Sequence, residues 1–272
     1  MSRPSSFALL WHQSRHEWRF FWRIPISAFF TILFPLLIFV VFSLVFGTQT
    51  IDYLGITTAQ YYAPSLAVFS AVSATYTNIS VTTAYQRDEG ILKRVRGTPL
   101  PAWIFLGGKI LSSILVALVG TLIMLAVGFA FFGLKFYPET LGMLAIVFFF
   151  GVAAFAALGL LVAAVSPSGQ AATAIANATL LPLAFVSGVF IVPGEEIPTW
   201  LEAVSRFFPL SHFAEPFIAG FSPPARRATF SWFDLAYLAI WGVAALALAI
   251  LWFRWEPPTG GGRRRSKAKT TS

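Results

Sequence analysis

The chain has 272 residues, of which 57% are hydrophobic and only 11% are charged, and its formal net charge is +8. A soluble domain of this composition would expose too much apolar surface to stay dissolved, and the lack of cysteine excludes disulfides and thiolate metal sites. We therefore predict an all-α membrane protein, and we attribute the positive charge to membrane orientation rather than to nucleic-acid binding.

The first 23 residues are too polar for the apolar core of a secretory signal peptide. Their large apolar side chains recur every three or four residues and therefore share one helix face: Phe7, Leu10, Trp11, Trp18, Phe21 and Trp22. Arg15, His16 and Arg19 lie away from that face. We predict that residues 1–23 form an interfacial amphipathic helix on the cytoplasmic leaflet, and a packing helix of the soluble type is the alternative.

Six apolar runs follow, each long enough to cross about 30 Å of hydrocarbon. The predicted transmembrane helices are 24–46, 63–85, 103–132, 141–165, 171–192 and 233–253. Pro35 is expected to kink the first of them. Together they predict one membrane domain over residues 24–254, followed by a disordered basic tail at 255–272 that anionic lipid attracts.

Two of these spans carry polar, uncharged side chains. In the second span they recur at three- and four-residue steps and should form one face and a neighbouring strip: Ser70, Ser73, Thr77 and Ser80, then Asn78 and Thr82. In the fifth span they interrupt a run of alanines: Thr173, Asn177 and Thr179. Such residues often hydrogen-bond between packed helices. As a set, they are also suited to line a path for an amphipathic substrate.

The connection between the second and third spans is the most densely charged stretch of the interior sequence, YQRDEGILKRVRGTPLP at 85–101. Its charges keep it out of hydrocarbon. Gly90 ends the preceding helix, and Pro99 and Pro101 stop the next one. Between them the apolar and basic residues fall on opposite sides: Ile91, Leu92 and Val95, and Lys93, Arg94 and Arg96. We predict a short basic helix here, with an ordinary cytoplasmic loop as the alternative.

Lysine and arginine are distributed unequally between the two sides of the predicted membrane. If both termini and residues 85–101 are cytoplasmic, that side holds 15 of them, and the other side holds four: Lys135, Arg206, Arg226 and Arg227. A bias of this size sets the orientation of a membrane protein. We therefore predict a multi-pass protein of the plasma (inner) membrane with both termini in the cytoplasm.

The segment between the fifth and sixth spans has an apolar helical face at 197–208, but it is too short and too charged to cross. Pro209 ends this helix, and a second short helix is predicted at 210–220. Since both ends lie outside, we predict short extracellular re-entrant helices, or helices lying flat on the surface. Trp200 and Phe207 would anchor them at the interface or form a lid over an exit path.

The sequence offers no catalytic constellation and no energy source. HExxH and GxSxG motifs are absent, and the three histidines are widely separated. Gly107-Gly108-Lys109 lacks the serine or threonine of a phosphate-binding loop, and Lys109 is expected to snorkel to the cytoplasmic surface. We predict that the chain is not an enzyme, holds no cofactor or metal, and needs an ATPase on another chain for uphill transport.

Several stretches occur in an order that resembles type-2 ABC exporter permeases. In residues 85–101 they are Glu89-Gly90, Leu92-Lys93-Arg94 and Thr98-Pro99-Leu100-Pro101. Elsewhere they are Arg23-Ile24-Pro25, Ser187-Gly188-Val189-Phe190, Ile197-Pro198-Thr199-Trp200-Leu201 and Phe208-Pro209-Leu210. The chain is similar in look to daunorubicin-type multidrug efflux permeases. It departs at His212, where the family often continues to an arginine.

The resemblance implies that the basic helix is a coupling helix docked on a separate ABC ATPase subunit. The implied coupling residues are Glu89, Gly90, Leu92, Lys93, Arg94, Arg96 and Thr98. Two ATPase subunits would carry ATP and Mg²⁺, and the permease would form a homodimer or pair with a similar permease. Substrate would pass between the membrane halves along the second and fifth spans, past Ser70, Ser73, Thr77, Asn78, Ser80, Thr173 and Asn177.

These expectations together describe the permease subunit of an ATP-driven exporter, which moves amphipathic drugs or lipids out of the cytoplasm or the inner leaflet. Within transport, the alternative is a permease for polysaccharide or teichoic acid. Outside transport, the alternative is a membrane scaffold or sensor.

Overall fold

The computed structural model describes residues 5–52, 54–98, 100–192, 198–222, 231–253 and 255. Over these residues the chain is mostly helical, as predicted for a helical membrane protein. Five helical stretches among them are long and apolar enough to cross a membrane: Pro25–Phe46, Ala102–Phe132, Pro138–Val165, Gly169–Val186 and Trp232–Trp252. The predicted tail lies outside the described residues, except for Trp255.

The N-terminal helix, α1, spans Ser6–Trp22, and the Ser5 hydroxyl caps it by accepting a hydrogen bond from the Ala8 amide at 3.2 Å. The first span follows in three parts. These are α2 (Pro25–Ala28), a π-helical turn (Phe29–Leu33) and α3 (Phe34–Phe46).

Pro35 explains the irregular turn in the first span. A proline has no N–H to donate to the carbonyl four residues earlier, which here belongs to Thr31. The Ser70 hydroxyl donates to that carbonyl instead, at 2.8 Å. Backbone at membrane depth needs such a partner, because hydrocarbon offers none.

A hairpin that was not predicted from the sequence connects the first and second spans. Strands β1 (Thr50–Ile51) and β2 (Ile56–Thr57) pair antiparallel, with Thr50 opposite Thr57. The turn between them contains Gly55 at φ 63°, in the left-handed region that glycine adopts without steric cost.

The second predicted span lies within a continuous helix formed by α4 (Thr58–Val72), a π-helical turn (Ser73–Thr77) and α5 (Asn78–Asp88). At 1.5 Å per residue this helix is about 45 Å long, but it is more polar than the five stretches above. Nearly every side chain of α4 is buried, because the helix lies at the centre of the bundle and faces protein on most sides. A sixth span therefore remains a prediction.

Five further elements complete the middle of the chain. They are α6 (Ile91–Arg96), α7 (Ala102–Phe132), a 3₁₀ turn (Pro138–Thr140), α8 (Leu141–Val165) and α9 (Gly169–Val186). Helix α1 packs along α7, and α5 packs against both α8 and α9.

The fifth span was predicted to end at residue 192, but α9 ends at Val186 because Gly188 adopts φ 74°. The carbonyls of residues 188–190 then lie outside any helix. Hydroxyls of α4 donate to them: Tyr61 to Gly188 at 2.5 Å, Ser65 to Val189 at 2.6 Å and Tyr62 to Phe190 at 3.0 Å. The polar start of α4 therefore satisfies irregular backbone in its neighbour.

The last part of the described chain contains α10 (Thr199–Phe207), α11 (Pro209–Ala219) and α12 (Trp232–Trp252). Helix α11 is largely buried among α4, α8 and α12, whereas Trp200 and Phe207 of α10 are exposed. The re-entrant placement of these short helices stays a prediction, and Ile197 lies outside the described residues.

Glycines let the helices of this bundle approach closely. A Cβ on Gly151 of α8 would lie 2.5 Å from the ring of Phe213, and one on Gly159 would lie 2.7 Å from the Tyr76 carbonyl oxygen. Such small residues allow van der Waals contact between helices that apolar lipid does not itself drive together.

Candidate substrate groove and coupling surface

A cavity of about 520 Å³, called the groove below, opens between the first span, the continuous helix of α4 and α5, and α9. Its wall consists of Ile26, Ser27, Phe30, Thr31, Phe34, Phe69, Ser73, Thr77, Asn78, Val81, Thr82, Thr173, Asn177, Leu180 and Leu181. Ligand pockets for drug-sized molecules have volumes of about 300–1,000 Å³, so the groove has the size of such a site.

The groove gathers most of the predicted path residues on one wall: Ser73, Thr77, Asn78, Thr173 and Asn177. Ser70 and Ser80 are not on that wall. Both are buried, and each donates to backbone, Ser70 to the Thr31 carbonyl and Ser80 to the Tyr76 carbonyl. In this structure the two serines therefore lie away from the groove.

The chemistry of the groove wall is mixed. Phe30, Phe34 and Phe69 supply apolar surface, while the carboxamides of Asn78 and Asn177 can each donate and accept hydrogen bonds. The buried hydroxyl of Thr77 has no hydrogen-bond partner among the described residues. No described residue of the wall is charged, so the groove is suited to an uncharged or weakly polar amphipathic group.

Lys109 does not snorkel to the surface, contrary to the expectation from the sequence. It is 2% exposed, and its Nζ lies 3.3 Å from Glu17 Oε2 and 3.4 Å from the Thr82 hydroxyl. Gln13 donates to the other oxygen of Glu17 at 3.1 Å. Glu17 belongs to α1 and Thr82 to α5, so this network ties both helices to α7.

The ion pair also borders the groove. Glu17 and Lys109 line a small space next to it, and the two spaces share Ser27, Asn78 and Thr82. Glu17 was not predicted as a functional residue, since a carboxylate among arginines of an amphipathic helix gives no sign of a buried partner 92 residues away.

The predicted basic helix is present as α6, and Gly90 at φ 72° separates it from α5. Leu92 is fully buried and fixes the helix to the protein. The other predicted coupling side chains are exposed: Glu89, Lys93, Arg94, Arg96 and Thr98. The Thr98 hydroxyl donates to the Val95 carbonyl at 2.6 Å and so closes the end of the helix. The arrangement presents a small cationic surface on a rigid base.

His212, where the sequence departs from the permease pattern that it resembles, lies between two partners. Its Nε2 is 2.9 Å from the Arg206 carbonyl oxygen, and its Nδ1 is 2.6 Å from Asp234 Oδ1. A carbonyl only accepts, so Nε2 must carry a hydrogen. The pair joins α11 to the first turn of α12.

Comparison with known proteins places these features in a family. The model of the ABC-2 type transporter family matches residues 8–222. The chain is 26% identical over 159 residues to the probable multidrug ABC transporter permease YbhR of Escherichia coli strain K12, covering 57% of this chain and 42% of that protein. It is 24% identical over 153 residues to the putative transport permease YvfS of Bacillus subtilis strain 168, covering 56% of this chain and 62% of that protein.

The chain thus spans less than two thirds of the length of these curated relatives. The family match, in contrast, extends from α1 through the groove and α6 to the end of α11. Both relatives are permeases by name. The chain belongs to the ABC-2 type transporter family.

Proposed function

We propose that the chain is the permease subunit of an ATP-driven exporter of amphipathic drugs or lipids. The observation that carries this proposal is the groove, whose apolar and hydrogen-bonding wall contains no charged side chain among the described residues. An amphipathic molecule needs both apolar contacts and hydrogen bonds. An uncharged molecule of this kind can enter the groove from the inner leaflet, because it needs no ionic partner on the wall.

The source of energy in this proposal is a separate ABC ATPase. The described residues contain a basic surface on α6, which would dock on that ATPase. The complex would hold two copies of the ATPase, each with ATP and Mg²⁺. Two permease chains, identical or similar, would pair so that substrate passes between them. Both termini would lie in the cytoplasm, and the chain would reside in the inner membrane.

The volume of the groove favours small amphipathic molecules over polymers. About 520 Å³ accommodates a drug-sized molecule or part of a lipid, and the name of YbhR assigns that relative to multidrug transport. We therefore place polysaccharide or teichoic acid export second.

Purification of a tagged chain together with the ATPase that binds it tests the proposal. We expect a stoichiometric ATPase, and the reconstituted complex should accumulate amphipathic dyes in inside-out vesicles only with ATP. Screening a compound panel for stimulation of ATP hydrolysis would then identify the substrate class. Concentrative transport by the chain alone, or a purified chain without any ATPase, would contradict the proposal.

Enlarging a side chain of the groove wall should alter which compounds are transported. Asn177 is exposed to the groove, so Asn177→Phe should fold normally but fill part of the space. We expect the apparent affinity for the largest compounds to fall about tenfold, which corresponds to about 1.4 kcal/mol, with little change for the smallest ones.

Ala178→Phe is the matched control, because Ala178 is the next residue of α9, is also exposed and is not on the groove wall. This variant should keep the wild-type compound profile. If both variants, or neither, shift the profile, the groove is not the substrate site.

A further inference from the structure

The end of α5, just before α6, is attached to the turn between α8 and α9. Arg87 is 2% exposed, and its guanidinium donates to the carbonyls of Ala163 at 2.9 Å and Ser166 at 2.7 Å. The next residue, Asp88, accepts a hydrogen bond from the backbone N–H of Gly169 at 2.6 Å. Two consecutive side chains therefore hold both sides of one turn.

Each charge lies at the helix end that attracts it. The last carbonyls of a helix lack partners and carry partial negative charge, and the first N–H groups carry partial positive charge. The Arg87 cation lies at the end of α8, and the Asp88 anion lies at the start of α9. Hydrogen bonds of this charge-assisted kind are about twice as strong as neutral ones.

Direct packing stiffens the same junction. A Cβ on Gly169 would lie 2.6 Å from Cγ of Tyr85, so the ring of Tyr85 lies against the backbone at the start of α9. No side chain at Gly169 separates the two helices. The end of α5 and the start of α9 should therefore move together.

The junction stands between the two functional surfaces described above. On one side, Gly90 and α6 follow Asp88 directly. On the other side, Thr173 lies one turn after Gly169 and donates to its carbonyl at 2.9 Å, and Thr173 and Asn177 form part of the groove wall. A displacement of α6 can thus reach the groove through α9 without passing along the whole of α5.

We propose that Arg87 and Asp88 are positioning residues that transmit movement of α6 to α9, so that docking events at the cytoplasmic surface change the groove wall. This inference rests on the proposed function, because it needs a partner that moves α6. In the sequence analysis Arg87 counted only as one of the positive charges on the cytoplasmic side, and the inference gives it a second role.

Asp88→Ala and Asp88→Asn separate this role from simple stability. The Asp88 side chain is 30% exposed and lies 3.6 Å from Nε of Arg87. Arg87 keeps its two carbonyl acceptors in both variants, so both should fold. Alanine removes the acceptor for the Gly169 N–H, whereas asparagine keeps an acceptor oxygen without the charge. In the purified complex with its ATPase, we expect Asp88→Ala to bind the ATPase normally but to transport at least about fivefold less substrate per ATP. Asp88→Asn should recover most of that loss.

Hydrogen–deuterium exchange gives a readout that does not depend on export. In the wild-type complex, nucleotide should change the exchange of amides 169–173, and in Asp88→Ala that response should disappear. The inference is overturned if Asp88→Ala keeps the nucleotide response, or if it loses the ATPase altogether, which would make Asp88 a docking residue. A wild-type complex that shows the nucleotide response but does not export would count against the proposed function and leave the transmission role supported.

Discussion

Replacing Lys93 and Arg94 by glutamate is expected to release the ATPase subunit and stop export, while the chain still inserts into the membrane. Both side chains are exposed on α6. Leu92 of the same helix is fully buried and holds α6 to the core, so the fold should not depend on the two charges. Reversing them places like charges against any surface that recognises a basic helix, at a cost of several kcal/mol. We expect the affinity for the ATPase to fall at least about 30-fold, the equivalent of about 2 kcal/mol.

The matched control reverses two exposed charges of α1, Arg15 and Arg19, and changes the net charge by the same amount. This control should retain the ATPase if the effect is local to α6. Co-purification and vesicle transport measure the outcome for both variants. Normal export by Lys93→Glu/Arg94→Glu would remove α6 from the mechanism.

Glu17→Ala should lower the free energy of unfolding by about 3–5 kcal/mol, because it leaves the buried ammonium of Lys109 without its ionic partner. Replacing both residues by methionine should cost far less, since a buried pair exchanged for apolar side chains of similar volume is often neutral. Thermal unfolding in detergent, followed by tryptophan fluorescence, should show the single variant melting at least about 6 °C below the wild type.

The pair of Arg206 and Glu202 on α10 serves as the comparison. Its nitrogen and oxygen are 2.8 Å apart, but both side chains are exposed. Exposed pairs of this kind contribute about 0.3–0.5 kcal/mol, so Glu202→Ala should hardly change the melting temperature. Equal melting of Glu17→Ala and Glu202→Ala would mean that Lys109 reaches solvent after all.

Helix ends that are marked by a glycine or a proline were predictable from the sequence. Gly90 separates α5 from α6, because glycine adopts φ 72° without steric cost, and Pro209 starts α11 after α10, because proline fixes φ and lacks an N–H. The class of protein followed from the length of the apolar runs. The low hydropathy of the second predicted span reflects its central position, and only the packing of the other helices around it reveals that position.

Ser70 and Ser80 were predicted to share one face with Ser73 and Thr77, but neither of them lies on the groove wall. A regular α-helix advances about 100° per residue, and the spacing of Ser70, Ser73, Thr77 and Ser80 was projected on that assumption. The π-helical turn at Ser73–Thr77 inserts extra backbone and rotates the residues after it about the helix axis. Ser80, which follows the turn, is therefore rotated away from the face that a regular helix would give it, and it packs inside the protein.

Contacts between residues that lie far apart in the sequence could not be predicted at all. Lys109 meets Glu17 through the docking of α1 on α7, and Arg87 meets the turn after α8 through the docking of α5. Both basic residues had contributed to the charge bias that sets orientation, which counts a residue without regard to its burial. Neither the hairpin nor the irregular backbone at 188–190 has a sequence signal as strong as a proline or a long apolar run.

Two helices that border the groove each contain a π-helical turn. The π-helical turns Phe29–Leu33 and Ser73–Thr77 both contribute side chains to the groove wall, and Ser70, which precedes the second turn, donates to the Thr31 carbonyl in the first. Helices bend most readily where their hydrogen-bond ladder is interrupted. If the cytoplasmic ends of these helices are drawn together, the helices should bend at their π-helical turns. The groove should then narrow next to the turns, while the remaining parts of both helices stay straight.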